Sequence, residues 1–431
     1  MQIDRRRALV AAGAALAGAA RSAAAQTPGQ TPGPPTTEGV HRALLERAQQ
    51  NRSRLTYEAS AFGGPAFDLL VREGAAAQVF LIGEDHGIAE NPKLAAALFE
   101  ALAPHGYRNV GVEISPPMAR LIDEALAAGG LEGLKAMLRD PGSQVAFFGM
   151  AEEAAWLARA RAAAPRGRPF LWGLDYEVGG DRRLIAELKA RPKPKAAAAA
   201  LDALDQASKA SWAKYAETRG PQHIFSFAGD PALVRAVRQA WSKPDARSAE
   251  MLDTLEQTFA INAAWTAGKG YESNRLRAEN MKANLLRHWR AEQRPGRAPK
   301  ALFKMGAYHM MRGRSGTNVY DVGNLLPELA ALEGGKSFSM LVTAGRGSQT
   351  AIFDPSAWTY RAGPQDGLKE LGLEPLAEAA FPDAFTLIDL RPLRPLVSPS
   401  RLKLVSPELA GAIHGFDTLL VMSGSTPSTN L

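Results

Sequence analysis

Residues 79–90 read VFLIGEDHGIAE, and this stretch decides the fold. It begins with four consecutive apolar residues, Val79 to Ile82, and runs directly into Gly-Glu-Asp-His-Gly at residues 83–87. A short apolar run without alternation is typical of a strand that is buried on both faces, as in a parallel sheet. The polar residues that follow are therefore predicted to lie at the carboxyl end of such a strand, where open α/β sheets form their ligand crevice.

Six further short apolar runs follow the same pattern. They are Val110 to Val112, Phe170 to Trp172, Ala301 to Phe303, Ser339 to Val342, Phe385 to Ile388 and Thr418 to Met422. Between the early runs lie two amphipathic stretches, Pro92 to Ala103 and Glu152 to Ala164, which are long enough for crossover helices. We therefore expect an α/β fold with a mainly parallel central sheet flanked by helices.

Residues 183–292 interrupt this rhythm with Ala-, Lys- and Glu-rich helical patterns and few strand candidates. They predict a helical insertion between two core strands, which either covers the site or only enlarges the core. Residues 26–40 begin with the Pro/Gly/Thr-rich sequence QTPGQTPGPPTT and are predicted to form a disordered linker. Residues 41–431 are then expected to form a single α/β domain that contains the insertion.

Residues 1–25 have the features of an export signal. Arg5, Arg6 and Arg7 precede an apolar stretch, and Ala23 and Ala25 occupy the small-residue positions of a cleavage site. The order Asp-Arg-Arg-Arg-Ala-Leu is similar to a twin-arginine signal, and an amphipathic helix is the alternative. We expect a periplasmic or secreted protein after cleavage. Because no other uninterrupted apolar run reaches about 18 residues, we expect no stable membrane anchor.

The composition of the 431 residues excludes several classes of protein. The chain has no cysteine, which excludes disulfides, a thiolate nucleophile, thiolate-bound zinc and cysteine-ligated iron–sulfur clusters. The formal charge is +7, and residues 1–25 hold four Arg and one Asp, a net +3, which leaves +4 on the remainder. The basic residues are interleaved with Pro and Ala and lack regularly spaced aromatics. We therefore expect a small-molecule substrate and no nucleic acid as partner.

Four predicted strand ends carry residues that are suited to chemistry. Glu84, Asp85 and His86 follow the first strand, with Glu90 four residues beyond His86; Glu113 follows the second, Asp175 and Tyr176 the third, and Tyr308, His309 and Arg312 the fourth. Because the carboxyl ends of parallel strands share one edge, these side chains are expected to converge. Glu113 directly continues an apolar strand, where an unpaired charge costs several kcal/mol. It therefore needs a partner, for which His86 or a metal ion is the candidate.

Longer stretches around these residues resemble the erythromycin esterase, ChaN and Tiki superfamily. The resemblance rests on FLIGEDHGIAENPKLAAALFEAL, GYRNVGVEISPPMARLIDEAL, WGLDYE, NRLRAENMKANLL, KMGAYHMMRG and VYDVGNLLPEL, and on the closing DAFTLIDLRPL and GFDTLLVMSGSTPS. It covers most of residues 75–330, and it implies an α/β fold with a polar hydrolytic or ligand-binding centre at the sheet edge. By position, Glu84, His86 and Glu113 match the first two motifs, and His309 matches the late histidine.

Two departures from this resemblance bear on the substrate. One residue, Asp85, separates Glu84 from His86, as in the ChaN and Tiki branches, whereas the macrolide esterases usually have two. Those esterases also carry two late histidines three residues apart, and Gly306 stands at the first of these positions here. The resemblance therefore does not predict a macrolide substrate.

The leading hypothesis is an exported hydrolase that requires no cofactor and acts on an ester or a related carbonyl. His86 is its general base toward water, Glu84 or Glu113 orients the imidazole, and His309 with Arg312 polarises the carbonyl. The residues predicted to bind the substrate are Asp85, Glu90, Asp175, Tyr176, Tyr308 and Arg312.

Two alternatives use the same residues. In a divalent-metal-dependent hydrolase or protease of the Tiki type, a Zn, Mn or Co ion binds to Glu84, His86, Glu113 and His309. In a haem- or iron-binding uptake protein, as the resemblance to ChaN implies, haem binds at His309 beside Tyr308 and Met310.

Overall fold

The computed structural model describes residues 35–145, 147–294 and 298–431 of the chain. Its strands are β1 (Arg52–Glu58), β2 (Ala61–Gly63), β3 (Val79–Glu84), β4 (Asn109–Val112), β5 (Leu171–Gly173), β6 (Ala301–Gly306), β7 (Ser337–Ala344), β8 (Gln349–Asp354), β9 (Thr359–Pro364), β10 (Phe385–Asp389) and β11 (Thr418–Met422). Its α-helices are α1 (Thr37–Gln50), α2 (Gly64–Ala76), α3 (Glu90–Leu102), α4 (Pro116–Leu138), α5 (Ala151–Ala163), α6 (Asp181–Ala190), α7 (Lys195–Thr218), α8 (Phe225–Ala228), α9 (Pro231–Ala240), α10 (Ala246–Thr266), α11 (Gly270–Glu292), α12 (Ala307–Met310), α13 (Val322–Leu332), α14 (Gly367–Glu370) and α15 (Pro407–Gly415). Short 3₁₀ helices cover Ala103–His105, Pro141–Ser143, Pro221–His223, Glu374–Ala379, Arg391–Val397 and Leu402–Leu404.

Nine of the described strands form one sheet in the order β2-β1-β10-β11-β7-β3-β6-β4-β5. Each pairing from β11 to β5 is parallel, which confirms the predicted mainly parallel sheet. The other edge differs, since β10 runs antiparallel to both β11 and β1, and β1 runs antiparallel to β2. Strands β8 and β9 form a separate antiparallel pair. Every predicted apolar run contributes a strand, whereas β1, β2, β8 and β9 are not predicted.

The central strands are buried on both faces because their alternate side chains enter two separate hydrophobic cores. In β3, Phe80 and Ile82 belong to one core, and Val79 and Leu81 belong to the other. Helices α3 to α10 supply apolar side chains to the first core, and helices α1, α11, α13 and α15 supply them to the second. This two-sided burial explains why the run at the start of β3 is continuous and does not alternate.

The chain between β5 and β6 is helical over most of the stretch from Asp181 to Glu292, which confirms the predicted insertion. Side chains of the insertion such as Leu201 and Leu252 lie in the core of the first face. The insertion therefore enlarges the core. Its last helix, α11, also reaches the carboxyl end of β4, where Arg277 donates a hydrogen bond to Glu113.

The boundary of the predicted linker at residues 26–40 needs correction. Helix α1 begins at Thr37, because Val40, Leu44 and Ala48 recur every four residues and bury one helical face. The predicted signal at residues 1–25 and residues 26–34 of the linker lie outside the described residues, so export stays a prediction. Among the helices that the structure describes, none has both the length and the apolarity needed to cross a membrane.

Candidate functional site

The carboxyl ends of β3, β4 and β6 lie side by side and bring most of the predicted catalytic residues together. Glu84 at the end of β3 is in register with Gly306 of β6, and Val112 of β4 is in register with Lys304. A cavity of about 350 Å³ opens at this edge, and it is lined by Glu84, Asp85, His86, Glu113, Gly306, Ala307, Tyr308, His309, Gln365, Glu370 and Leu371. The expected convergence of separate strand ends is therefore found for the first, second and fourth predicted strands.

The imidazole of His86 is held by Glu84. Its Nδ1 lies 3.0 Å from Oε1 of Glu84, and its ring stacks on Phe147 with the centroids 3.9 Å apart. Its Nε2 lies 3.7 Å from Oε2 of Glu113, beyond hydrogen-bond distance. Burial acts to lower the pKa of His86, but the hydrogen bond and charge of Glu84 outweigh it and raise that pKa above 6.5. Of the two carboxylates offered by the sequence, Glu84 is thus placed to orient this ring.

The turn that presents His86 depends on Gly87. This glycine has a φ of 89°, in the left-handed region that favours glycine. Its carbonyl oxygen accepts hydrogen bonds from the backbone N–H of Ala351 at 3.0 Å and of Ser428 at 2.9 Å. A β-carbon at this position would overlap the carbonyl oxygen of Ala351. The close approach of these two chain segments therefore requires a glycine.

We expect Gly87→Ala to lower the free energy of unfolding by about 2 kcal/mol or more, because it adds both backbone strain and a steric overlap. Chemical denaturation measures this loss. Gly167→Ala is the matched control, since Gly167 also has a positive φ of 72° but has open space around its β-carbon position. If the two variants lose the same stability, the overlap with Ala351 does not matter.

A buried lysine lies behind His86 and joins two carboxylates. Nζ of Lys304 is 2.8 Å from Oε1 of Glu84 and 2.6 Å from Oε1 of Glu153, and all three side chains are at most 4% exposed. Asn91 donates a hydrogen bond to the other oxygen of Glu84. Burial acts to raise the pKa of Glu84, but Lys304 and His86 outweigh it and lower that pKa below its usual value. Glu84 therefore keeps its negative charge beside the imidazole.

Glu113 receives its partner from the last helix of the insertion. Nη2 of Arg277 donates to Oε1 of Glu113 at 2.6 Å, and the backbone N–H of Gly306 donates to Oε2 at 2.9 Å. Burial acts to raise the pKa of Glu113, but the charges of His309, Arg277 and His86 hold it well below its usual value. The prediction that this carboxylate needs a partner is confirmed. The partner at hydrogen-bond distance is an arginine, whereas the sequence suggested His86 or a metal ion.

Arg277 is itself held by Asp175, which shares its Nη2 group with Glu113. Its Nε donates to Oδ1 of Asp175 at 3.0 Å, and its guanidinium lies 5.1 Å from the centre of the Tyr176 ring. Neither Asp175 nor Tyr176 lines the cavity, although the sequence suggested that both bind the substrate. Both side chains instead contact Arg277, and they line a separate, smaller cavity together with Glu250 and Asn284.

His309 lies between two carboxylates, which favour its protonated form. Its Nδ1 lies 2.7 Å from Oδ2 of Asp321, and its Nε2 lies 3.4 Å from Oε1 of Glu113. Burial acts to lower its pKa, but the charge of Glu113 and the hydrogen bond to Asp321 outweigh this and raise the pKa of His309 to about 10. Asp321 also caps α13 through the N–H of Val322 at 2.7 Å, which fixes its position. A ring protonated on both nitrogens has no lone pair for haem iron, so these contacts do not favour the haem alternative.

The predicted metal donors do not fit a divalent ion. Glu84 already bonds to Lys304, Glu113 already bonds to Arg277, and His309 is protonated. A metal ion would compete with these cations for the same lone pairs. Within the described ranges, no group of three or more His, Asp or Glu side chains is placed to hold a metal ion. The metal-dependent alternative finds no support in this arrangement.

Arg312 and Glu90, also predicted to bind the substrate, do not line the cavity. Arg312 pairs with Asp417 and donates a hydrogen bond to Oγ of Ser339 at 2.9 Å. Its charge is therefore paired within the fold, and it cannot polarise a carbonyl beside His309. Glu90 accepts hydrogen bonds from the backbone N–H and hydroxyl of Thr426 at 3.0 and 2.5 Å. It fastens the C-terminal segment to the start of α3.

Several residues of the site were not predicted. They are Asn91, Phe147, Glu153, Arg277, Lys304, Asp321, Gln365 and Glu370. Lys304 had a readable signal, because a lysine within an apolar strand that is buried on both faces has to pair with a buried carboxylate. The others come from helices and loops, where isolated polar or aromatic residues are ordinary, so their sequence context carries no such signal.

Solved structures share this architecture. The chain is similar to a mutant of the erythromycin esterase EreC in its open conformation, with a TM-score of 0.57 and 17% identity over 88% of this chain and 98% of that one. The chain has the fold of that esterase. It is also similar to a Bacillus cereus protein, with a TM-score of 0.56 and 14% identity over 92% and 100% of the two chains. A succinoglycan biosynthesis protein gives a TM-score of 0.57 and 13% identity over 91% and 99%.

No protein-family model matches the sequence, and neither does any curated protein. The resemblance that the motifs suggested is therefore confirmed for the fold, by structures whose sequences are less than one fifth identical to this one.

Proposed function

We propose that the protein hydrolyses a neutral ester by direct attack of water, with His86 as the general base. The observation that carries the proposal is the contact of 3.0 Å between Glu84 and Nδ1 of His86 at the wall of the cavity. A carboxylate that accepts the Nδ1 proton leaves the lone pair of the neutral imidazole on Nε2, where it can take a proton from water. A carboxylate and a histidine have this relation in hydrolytic triads.

The attacking water is assigned to the gap between His86 and Glu113. The distance of 3.7 Å between Nε2 and Oε2 is too long for a direct hydrogen bond, and a water bridges such gaps. Gly306 keeps the gap open, since a β-carbon there would lie 3.1 Å from Nε2 and 3.3 Å from Oε2. Glu113 would accept one hydrogen bond from this water while His86 accepts the other.

The reaction then proceeds in two proton transfers. Nε2 of His86 removes a proton as the water oxygen forms a bond to the carbonyl carbon, which gives a tetrahedral oxyanion. When the carbon–oxygen bond to the alcohol breaks, the same nitrogen returns the proton to the leaving oxygen. The imidazolium of His309 and the hydroxyl of Tyr308 line the same cavity and are the groups assigned to stabilise the oxyanion. No serine, threonine or cysteine among the cavity-lining residues offers a covalent route.

The test measures the hydrolysis of p-nitrophenyl acetate by the purified full chain, with the release of p-nitrophenol as the readout. We expect p-nitrophenol to be released at a constant rate from the first turnover onward. We expect no acylated protein in the mass spectrum. A stoichiometric burst or an acyl adduct would show a covalent intermediate and contradict direct attack. Failure to hydrolyse this ester and a panel of other neutral esters would refute the hydrolase itself.

Filling the proposed water site is expected to stop the reaction. Gly306→Ala places a methyl group in the gap between His86 and Glu113, and we expect it to lower kcat by about 10²-fold, the lower end of the contribution of a general base. The backbone at this position has a φ of −50°, so alanine adds no strain and the stability should stay within about 1 kcal/mol. Gly129→Ala, at a position with open space around it, serves as the control. Unchanged activity of the Gly306 variant would place the water elsewhere.

A further inference from the structure

A second cavity, of about 400 Å³, adjoins the cavity of His86, and half of its lining residues have apolar side chains. The two cavities share Ala307, Tyr308, Glu370 and Leu371 as lining residues. The apolar lining of the second cavity consists of Ala307, Met311, Leu341, Leu371, Leu373, Pro407, Ala412 and Phe416. Its polar lining consists of Tyr308, Arg314, Ser315, Asn318, Glu370 and Glu408. We name this space the apolar cavity.

The apolar cavity is built from the core of the protein. Leu341, Leu373 and Phe416 are between 0% and 3% exposed, and they belong to the hydrophobic core on one face of the sheet. Leu341 lies on β7, next to β3, which carries Glu84. The position of the apolar cavity relative to His86 is therefore set by sheet pairing, which makes it a rigid part of the site.

We propose that the apolar cavity binds an apolar substituent of the ester, so that the substrates are neutral esters with an extended alkyl or ring group. This inference rests on the proposed function and names its substrate class. Concave apolar surfaces of 300–1,000 Å³ beside convergent polar groups are the usual form of small-molecule sites. Each methylene that leaves water for such a surface favours binding by about 0.8 kcal/mol at most, or about fourfold.

The lining of the apolar cavity disfavours an anionic substituent. It includes two carboxylates, Glu370 and Glu408, and one guanidinium, that of Arg314, so its formal charge is negative. A substituent that ends in a carboxylate or phosphate would pass these groups at a cost in Coulomb energy. An uncharged chain or ring pays no such penalty and finds Met311 and Leu373 in the same lining.

The test compares p-nitrophenyl acetate, butyrate and hexanoate, and in a second series methyl, butyl and hexyl acetate, on the full chain. We expect kcat/KM to rise at least about tenfold from the shortest to the longest member of one series, and the series that rises shows which side of the ester enters the apolar cavity. Met311→Trp, which enlarges a side chain that lines the apolar cavity but not the cavity of His86, should abolish the rise and leave the acetate within about twofold. Flat series, or an equal loss on short and long esters in the variant, would overturn the proposal.

The control variant is Leu329→Trp, at a partly buried leucine of the same hydrophobic core that lines neither cavity. It should keep the wild-type dependence on chain length. A binding measurement separates this inference from the hydrolase proposal. If no ester is hydrolysed, calorimetric titration with the uncleavable amide N-hexylacetamide still tests whether the apolar cavity binds an apolar ligand. Binding to the wild type that is lost in Met311→Trp supports an apolar ligand site, and absence of binding to the wild type overturns it.

Discussion

Replacing His86 with alanine is expected to lower kcat for ester hydrolysis by about 10²–10⁴-fold, the usual contribution of a general base. The free energy of unfolding should change by no more than about 1 kcal/mol. The reason is that Glu84 retains Lys304 and Asn91 as hydrogen-bond partners when the imidazole is removed, so no buried charge is left alone. Steady-state kinetics and chemical denaturation measure the two quantities.

The pH dependence of the wild type provides a second readout for His86. Only the neutral imidazole accepts a proton, so kcat/KM should rise with pH through a pKa above 6.5, the direction in which Glu84 shifts this group. His309, with its pKa raised to about 10, stays protonated over this range. Asp85, whose pKa burial raises to about 6, lines the same cavity. Asp85→Asn should leave the rise in place, which separates the two groups.

His105→Ala is the control for the removal of a histidine, because His105 is exposed on a short 3₁₀ helix away from the cavity lining. Its activity should equal that of the wild type. If His86→Ala keeps more than about a tenth of the wild-type kcat, another group is the base. In that case Glu113, which lies across the gap from His86, is the next residue to substitute.

The parallel half of the fold could be predicted because its strands are buried on both faces. Every side chain of β3 and β4 is buried, which makes their apolar runs conspicuous in the sequence. In contrast, β1 buries only Leu55 and carries Arg52, Arg54 and Glu58, so no continuous apolar run marks it. Strands β1 and β2 therefore had to come from the structure, as did the antiparallel direction of β10. An edge strand exposes much of its surface, and its sequence tolerates polar residues.

The residues of the site likewise divide into those that the sequence could predict and those that it could not. Glu84, His86 and Glu113 could be predicted since each lies at or just beyond the end of an apolar run, and the carboxyl ends of parallel strands meet at one edge. Arg277 could not be predicted as their partner, because it comes from a helix more than 150 residues beyond Glu113 and helices expose arginines routinely. The need of Glu113 for a counter-charge was readable from burial alone, whereas the donor that meets it depends on how the insertion folds back.

Replacing Lys304 with methionine is expected to lower the free energy of unfolding by about 3–5 kcal/mol, the usual loss when one partner of a buried ion pair is removed. The methionine keeps the length of the side chain and removes the charge. Glu84 and Glu153 are then left in the interior without the cation that lies 2.8 and 2.6 Å from their oxygens. Burial already raises the pKa of Glu153 even with the lysine present, which shows how little solvent this carboxylate reaches.

The loss of stability in Lys304→Met should grow as pH rises. Without Lys304, burial raises the pKa of Glu84 and Glu153 in the folded state above their unfolded values near 4.5, so the folded variant holds protons that the unfolded chain has released. Its stability relative to the wild type therefore falls as pH rises, and urea denaturation should show a larger loss at pH 8 than at pH 5. Glu153→Gln in the Lys304→Met background should recover part of the loss at pH 8, because one of the two uncompensated charges is gone.

Lys300→Met, at a half-buried lysine that donates to the carbonyl of Ala75 at 3.1 Å, is the control and should lose about 1 kcal/mol or less at both pH values. A loss in Lys304→Met as small as in this control, or one independent of pH, would contradict the role of Lys304 as the counter-charge of the two buried carboxylates.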